Sequence, residues 1–188
     1  MKKGFIVLIV IAVIAVLLVT SGVGTYNGLV EKQNNIEGKS SIVQTDLQRR
    51  ADLIPNLVNT VKGYAAHEEN VLTEVTNARA AVQTAGTTEE MLQANDQLSS
   101  ALTRLLAVVE AYPDLKADQN FIALQDELAG TENRIATSRK DYTTAVQEYN
   151  TAIRKFPASI IAGLFGFEKC DEYFEATASA QSAPVVEF

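Results

Sequence analysis

Tryptophan is absent from this 188-residue chain, and cysteine and histidine each occur once. A single cysteine, Cys170, excludes an intrachain disulfide, and no histidine stands near it in sequence to activate the thiol. One histidine, His67, cannot supply the repeated Glu-x-x-His ligands of a di-iron bundle. Nor can it form a His-x-x-x-His pair, because position 71 is Val. There is no G-x-S-x-G elbow, and Gly163 and Gly166 lack the lysine and strand-to-helix context of a phosphate loop. Without tryptophan as a sugar platform, paired-carboxylate glycoside chemistry fits poorly. Positive charge is also scarce. Sixteen Lys and Arg face 23 Asp and Glu, for a net charge of −7. That leaves no basic face for nucleic acid and no broad attraction to anionic lipid. No alternating apolar–polar run bounded by turn residues signals a strand. No cofactor or metal is expected.

What is present begins with a long apolar run. Phe5 to Val19 is unbroken, and no charge follows until Glu31. About 20 helical apolar residues cross the ~30 Å hydrocarbon layer, and the uncharged stretch from Thr20 to Gly24 extends the strict run toward that length. In lipid only a helix satisfies every backbone group within one segment, so richness in Val and Ile is no objection. Residues 1–24 are therefore expected to be a single-pass anchor that contacts the bilayer through residues 4–23. A cleaved signal peptide is the rival reading, with Lys2 and Lys3 as its basic start. Its A-x-A cleavage pattern is poor, Val19-Thr20-Ser21 being the best match. Basic residues near a span stay cytoplasmic. Lys2 and Lys3 precede the run, and Lys32, beside Glu31, is the first positive charge after it. This count places the domain on the outer side of the cell (inner) membrane.

Residues 25–174 are expected to form one helical domain, and 175–188 a flexible tail. From Tyr26 onward, Leu29, Ile36, Val43, Leu47, Ile54, Leu57, Val61, Tyr64, Val71 and Val75 recur mostly at spacings of three, four and seven, the period of one helix face. The pattern predicts one helix from Thr25 to Ala85, long enough to be counted as two, ended by Gly86. Pro55 removes one backbone N–H and crowds the carbonyl four residues back. Because Ile54 is a poor N-cap, the reading is a kink in a continuing helix. The freed carbonyl near Ala51 would then be taken by Asn56, Asn59 or a water. Thr87 with Glu90 reads as a capping box. The next helix carries Met91, Ala94, Leu98, Leu102, Leu105 and Val109 and ends at Tyr112, before Pro113. Asp118 caps the last long helix, whose stripe runs through Phe121, Leu124, Leu128, Ile135, Tyr142, Val146, Tyr149 and Ile153. Thr131 and Ser138 occupy slots that a dry core gives to leucine. Phe156-Pro157 closes this helix, and Ser159 to Phe167 reads as a short apolar helix or an interfacial segment. The fold class is all-α: an N-terminal transmembrane helix, then an antiparallel up-down helical bundle with one very long, proline-kinked helix.

The polar groupings that stand out are Arg49, Arg50 and Asp52 beside Pro55 and Asn56; His67 with Glu68; Glu110, Tyr112, Asp114 and Lys116 around Pro113; and Glu132 with Asn133. They fit solvated faces with i,i+4 pairs worth ~0.3–0.5 kcal/mol each. They fit equally an inter-helix network that fixes register. His67 is read as a surface or helix-pairing residue.

Several stretches together resemble the LemA family. They are Tyr26-Asn27-Gly28-Leu29-Val30, Arg49-Arg50-Ala51-Asp52-Leu53-Ile54-Pro55-Asn56-Leu57-Val58, and Val61 to Glu68 (VKGYAAHE). Further along come Glu110 to Ala117 (EAYPDLKA), Asn120-Phe121, Thr131 to Ile135 (TENRI), Tyr149-Asn150, Phe156-Pro157 and Gly166-Phe167. Two positions depart from it: Ser40 stands about where such proteins commonly carry tryptophan, and Tyr142-Thr143 replaces a more usual aromatic-Asn pair. The resemblance implies a membrane-anchored helical bundle with no established enzyme activity. It also implies a cytoplasmic domain, opposite to the charge count. The function expected is that of a non-enzymatic scaffold at the membrane, binding protein partners and forming homo-oligomers through a narrow seam at Gly38, Ser40 and Ser41. The alternatives are a metal-dependent or other hydrolase using His67 with carboxylates of a facing helix, and a cleaved secreted helical protein.

Overall fold

In a computed structural model that describes residues 2–65 and 67–171, with side chains from residue 4, the 63 residues Lys2–Tyr64 form one helix, α1. Five more helices follow: α2 Glu69–Thr84, α3 Thr88–Val109, α4 Pro113–Lys116, α5 Gln119–Arg154 and α6 Ala158–Phe165. No strand occurs among the described residues. The all-α, up-down reading holds. The expected flexible tail at 175–188 lies outside the described residues.

The chain divides into two compact units. In the larger, Lys39–Tyr142, the chain runs up α1, down α2, up α3 and down α5. Ser40 meets Thr88 at one end (2.7 Å), and the Tyr64 hydroxyl donates to Asp118 at the other (3.0 Å). The stripes read from the sequence face inward. Val43, Leu47, Ile54, Leu57 and Val61 of α1 are buried, as are Leu98 and Leu105 of α3 and Phe121 and Ile135 of α5. Burying each such side chain is worth about 1.5–3 kcal/mol, so packing rather than propensity holds these helices.

The smaller unit takes α1 up to Gly38 and the chain from Thr143. Lys32 pairs with Glu148 at 3.0 Å. Beyond Phe156-Pro157, which is cis, α6 ends on Gly166 in the left-handed region (φ 74°), with the Phe167 N–H donating to the Ala162 carbonyl at 3.0 Å. A Cβ is strained at that φ, so glycine stands there. The large apolar side chains between Phe5 and Val19 are 48–68% exposed, so the described chain leaves them largely uncovered. This helix is long and apolar enough to cross a membrane.

Local signals were sound at several ends. The Thr87 hydroxyl accepts from the Glu90 N–H at 3.1 Å, and the Glu90 carboxylate accepts from the N–H groups of Thr87 (3.2 Å) and Gly86 (2.8 Å). Asp118 Oδ1 accepts from the Phe121 N–H at 2.9 Å. Thr131 and Ser138 are buried, each donating to a carbonyl of its own helix.

Three expectations need correction. The helix expected to run from Thr25 to Ala85 breaks after Tyr64, and α2 starts at Glu69. A continuous helix would leave Leu72, Val75 and Val82 unpartnered; reversal lets α2 bury them. The apolar stripe passes through the turn because the same spacing serves both antiparallel helices. Ala65 and Leu72 take the buried places expected of Tyr64 and Val71, and Tyr64 is 46% exposed. Secondly, the Ala51 carbonyl freed by Pro55 is taken by Arg79 of α2, whose Nε donates at 2.9 Å, rather than by Asn56 or Asn59. Thirdly, Pro113 starts a helix rather than only stopping one. It occupies the first turn of α4, where a missing N–H costs nothing.

Candidate functional site

Arg50 is the charged residue that the bundle buries, at 5% exposure. It lies on the inward face of α1, one turn before Ile54. Its Nη1 donates to Asn95 Oδ1 at 2.8 Å and to Ser99 Oγ at 2.9 Å on α3, and it meets Glu132 Oε2 of α5 at 2.5 Å. Its Nε–H is buried without a partner. Burial lowers the guanidinium pKa; Glu132 and then Asp96 act against that. Arginine retains its proton in proteins. One cation thus ties three helices together, with its countercharge at the rim: the Glu132 side chain is 51% exposed. Beside it, Arg139 of α5 faces Asp96 of α3 at 3.6 Å. The arrangement has the form of an inter-helix network fixing register.

The remaining candidate residues fall in two other places. Arg49 is exposed and pairs with Glu127 at 2.9 Å, and Asp52 accepts from Gln48 at 2.8 Å. Asn56 is exposed, and its carbonyl accepts from Thr60. Asn133 faces a groove of about 370 Å3 that it lines with Lys39, Ile42, Asp46, Arg134 and Asp141; Lys39 and Asp141 pair at 2.9 Å. The other group lies at the α1–α2 and α3–α5 turns. There the Tyr112 hydroxyl donates to Glu68 at 2.9 Å, and Lys116 pairs with Glu110 at 2.6 Å. Pro113 and Asp114 form the first turn of α4, and His67 is exposed in the turn between α1 and α2. The structure therefore joins Arg50 to Glu132 and Glu68 to Tyr112, and it separates those two clusters.

Asn95, Ser99 and Arg79 were not singled out from the sequence. Asn95 and Ser99 stand on the stripe that carries Leu92, Leu98 and Leu102, so polarity at core spacing was the available signal. Arg79 had none beyond the carbonyl that Pro55 sets free. Of the residues expected at a self-association seam, Gly38, Ser40 and Ser41, the Ser40 hydroxyl meets that of Thr88 within the chain at 2.7 Å.

At the turn end, Asp118 is held below the usual carboxylate range. The Phe121 N–H is the main cause; the Tyr64 hydroxyl and the Asn120 N–H add to it, and burial opposes them. A carboxyl with a depressed folded-state pKa adds stability that is present above its unfolded value. That stability is lost as pH falls through the folded value. Melting temperature should therefore fall below about pH 4. Asp118→Asn should lower stability at neutral pH and flatten this acid limb. Parallel acid limbs in the two proteins would remove Asp118 from the account.

No group of three or more His, Cys, Asp or Glu side chains that could hold a metal occurs among the described residues. The arrangement can hold helices in register and present charged, grooved faces.

Comparison with known proteins agrees with this architecture. The profile of the LemA family matches residues 39–188. Magnetosome proteins MamQ 1 and MamQ 2 of Paramagnetospirillum magneticum are each 31% identical over 195 aligned positions, covering 90% of this chain and 70% of theirs. Protein LemA of Metamycoplasma hominis is 26% identical, covering 64% of this chain and 55% of its own. With the matching profile spanning most of its length and relatives above 30% identity, the chain belongs to the LemA family.

Proposed function

We propose that this protein is a membrane-tethered, non-catalytic helical scaffold that binds protein partners at the bilayer, a second copy of itself among them. The observation that carries the reading is the exposed apolar run of Phe5–Val19, continuous in α1 with the helix that contributes Arg50. A side chain such as Leu18, 68% exposed in water, is unfavourable by about 1.5–3 kcal/mol relative to burial. The same run in hydrocarbon is the stable arrangement. Two of the relatives are named for the magnetosome, which is compatible with work on a surface, and that name is theirs alone. The charge count favours an extracytoplasmic domain. The hydrolase alternative gains nothing from the geometry. His67 is exposed in a turn, and the neighbouring Glu68 carboxylate is engaged by Tyr112.

The test uses membranes from cells making the full chain. Carbonate washing should leave it in the pellet, and deleting residues 2–24 should release it to the soluble fraction. Crosslinking in intact membranes should capture dimers or partner proteins. Full-length chain in the carbonate supernatant, or unaided substrate turnover by the purified protein, would overturn the proposal.

A further inference from the structure

We propose that α6 is a second membrane attachment, a short apolar foot lying in the interface of the leaflet nearest the domain, with the bilayer as its occupant. The inference rests on the anchoring reading above and adds a contact made by the other end of the fold.

Three observations carry it. The first is register. Lys32 of α1 pairs with Glu148 of the antiparallel α5. Moving six residues back on α1 and six forward on α5 brings Arg154, the last residue of α5, level with Tyr26. The chain therefore turns into α6 beside the place where the apolar run ends.

The second is contact. Tyr26 packs on Phe165 (ring centroids 4.9 Å apart) and Phe167 (5.5 Å). Ile161 lies so close to α1 that a Cβ on Gly22 would meet it at 3.7 Å. A hollow of about 400 Å3 is walled by Leu18, Val19 and Val23 of α1 with Ile161 and Phe165 of α6. α6 thus lies against the last turns of the very segment that crosses the hydrocarbon.

The third is the face turned away from α1. Ile160 and Leu164, one turn apart on α6, are 60% and 74% exposed, and Phe156, just before the helix, is 83% exposed. Phe156 to Phe167 contains no charge, whereas exposed Arg154 and Lys155 come immediately before it. An apolar helix face beside a span, with cations at the level of lipid phosphates, is the pattern of an interfacial helix. Such a helix sinks about 5–10 Å into the headgroup–acyl boundary. Helix α6 alone is too short to span.

The absence of tryptophan gives a clean experiment. Full-length chains carrying one tryptophan each, Ile160→Trp, Leu164→Trp, Val13→Trp or Ala136→Trp, are reconstituted in phosphatidylcholine vesicles. The vesicles contain lipids brominated either near the headgroup or near the chain terminus. Tryptophan at 160 and 164 should emit in the blue and be quenched at least about twofold, more by the shallow label than by the deep one, as the depth of an interfacial helix requires. At 13 the deep label should quench more, and at 136 neither should.

Deep quenching at 13 with red, unquenched emission at both 160 and 164 overturns the foot and leaves the anchor standing. Blue emission at 160 and 164 without quenching means that protein covers this face, a second copy included, and overturns it equally. An unquenched tryptophan at 13 overturns the anchor and the foot together.

Discussion

Replacing Arg50 by alanine is expected to cost the bundle about 3 kcal/mol, within the range measured when one partner of a buried ion pair is removed. Three effects add. The buried stem leaves a cavity among Ala51, Ile54 and the facing helices. The Oδ1 of Asn95, a residue 1% exposed, loses its donor, and an unsatisfied buried acceptor costs about 1–3 kcal/mol. The link to Glu132 is lost, and this is the smallest effect, because an exposed carboxylate returns to water at little cost. In a chain of this length the melting temperature should fall by roughly 6–12 °C, read from helical circular dichroism in detergent. Arg50→Met, which keeps the volume and removes the charge, should lose about half as much, since only Asn95 and Ser99 are then left wanting. Arg50→Lys cannot reproduce the planar fork and should also fall between. Equal melting temperatures for wild type and Arg50→Ala would mean that the network is decoration on a bundle held by its apolar core alone.

This network also marks where the sequence ceased to be legible. Signals contained in a few neighbouring residues were readable. Thr87 and Glu90 announce a capping box at fixed spacing, Asp118 stands three residues before the N–H it caps, and Pro157 cannot continue a helix. Family and fold class were readable for the same reason, since the RRADLIPNLV and YPDLKA stretches are local strings. The reversal after Tyr64 was not. Gly63-Tyr64-Ala65 followed by Ala66, His67 and Glu68 contains no proline, and the apolar period runs through it undisturbed. What decides the turn is three-dimensional. Tyr112 and Asp118, some fifty residues onward, take Glu68 and Tyr64 as hydrogen-bond partners. The partners of Arg50 were hidden likewise, because nothing in the order of residues says that positions 50, 95 and 132 meet.

Arg79→Met should destabilise the protein by about 1.5–3 kcal/mol, the range for a hydrogen bond to a charged donor at a buried site. The reason lies in Pro55, on the other helix. A regular helix would satisfy the Ala51 carbonyl with the N–H of residue 55, which proline lacks. Ala51 is fully buried, so water does not reach that oxygen in the helix interior, and Arg79 Nε supplies the bond from α2. The arginine therefore repairs a defect that the proline creates, and the pairing ties the two antiparallel helices at a fixed offset. This predicts coupling between two residues whose side chains have no ordinary reason to communicate. In a Pro55→Ala background the restored N–H competes for the same carbonyl, and Arg79→Met should then cost about 0.5 kcal/mol or less. The difference, an interaction energy of about 1 kcal/mol or more, is what a double-mutant cycle measures. Additive losses would mean that Arg79 contributes through its stem packing against α1, and that the kinked helix tolerates its open carbonyl by other means. A positive coupling would explain why a helix-breaking residue is retained mid-helix. Proline at 55 makes the carbonyl at 51 available only to a partner on α2, and so selects the register in which α2 folds back.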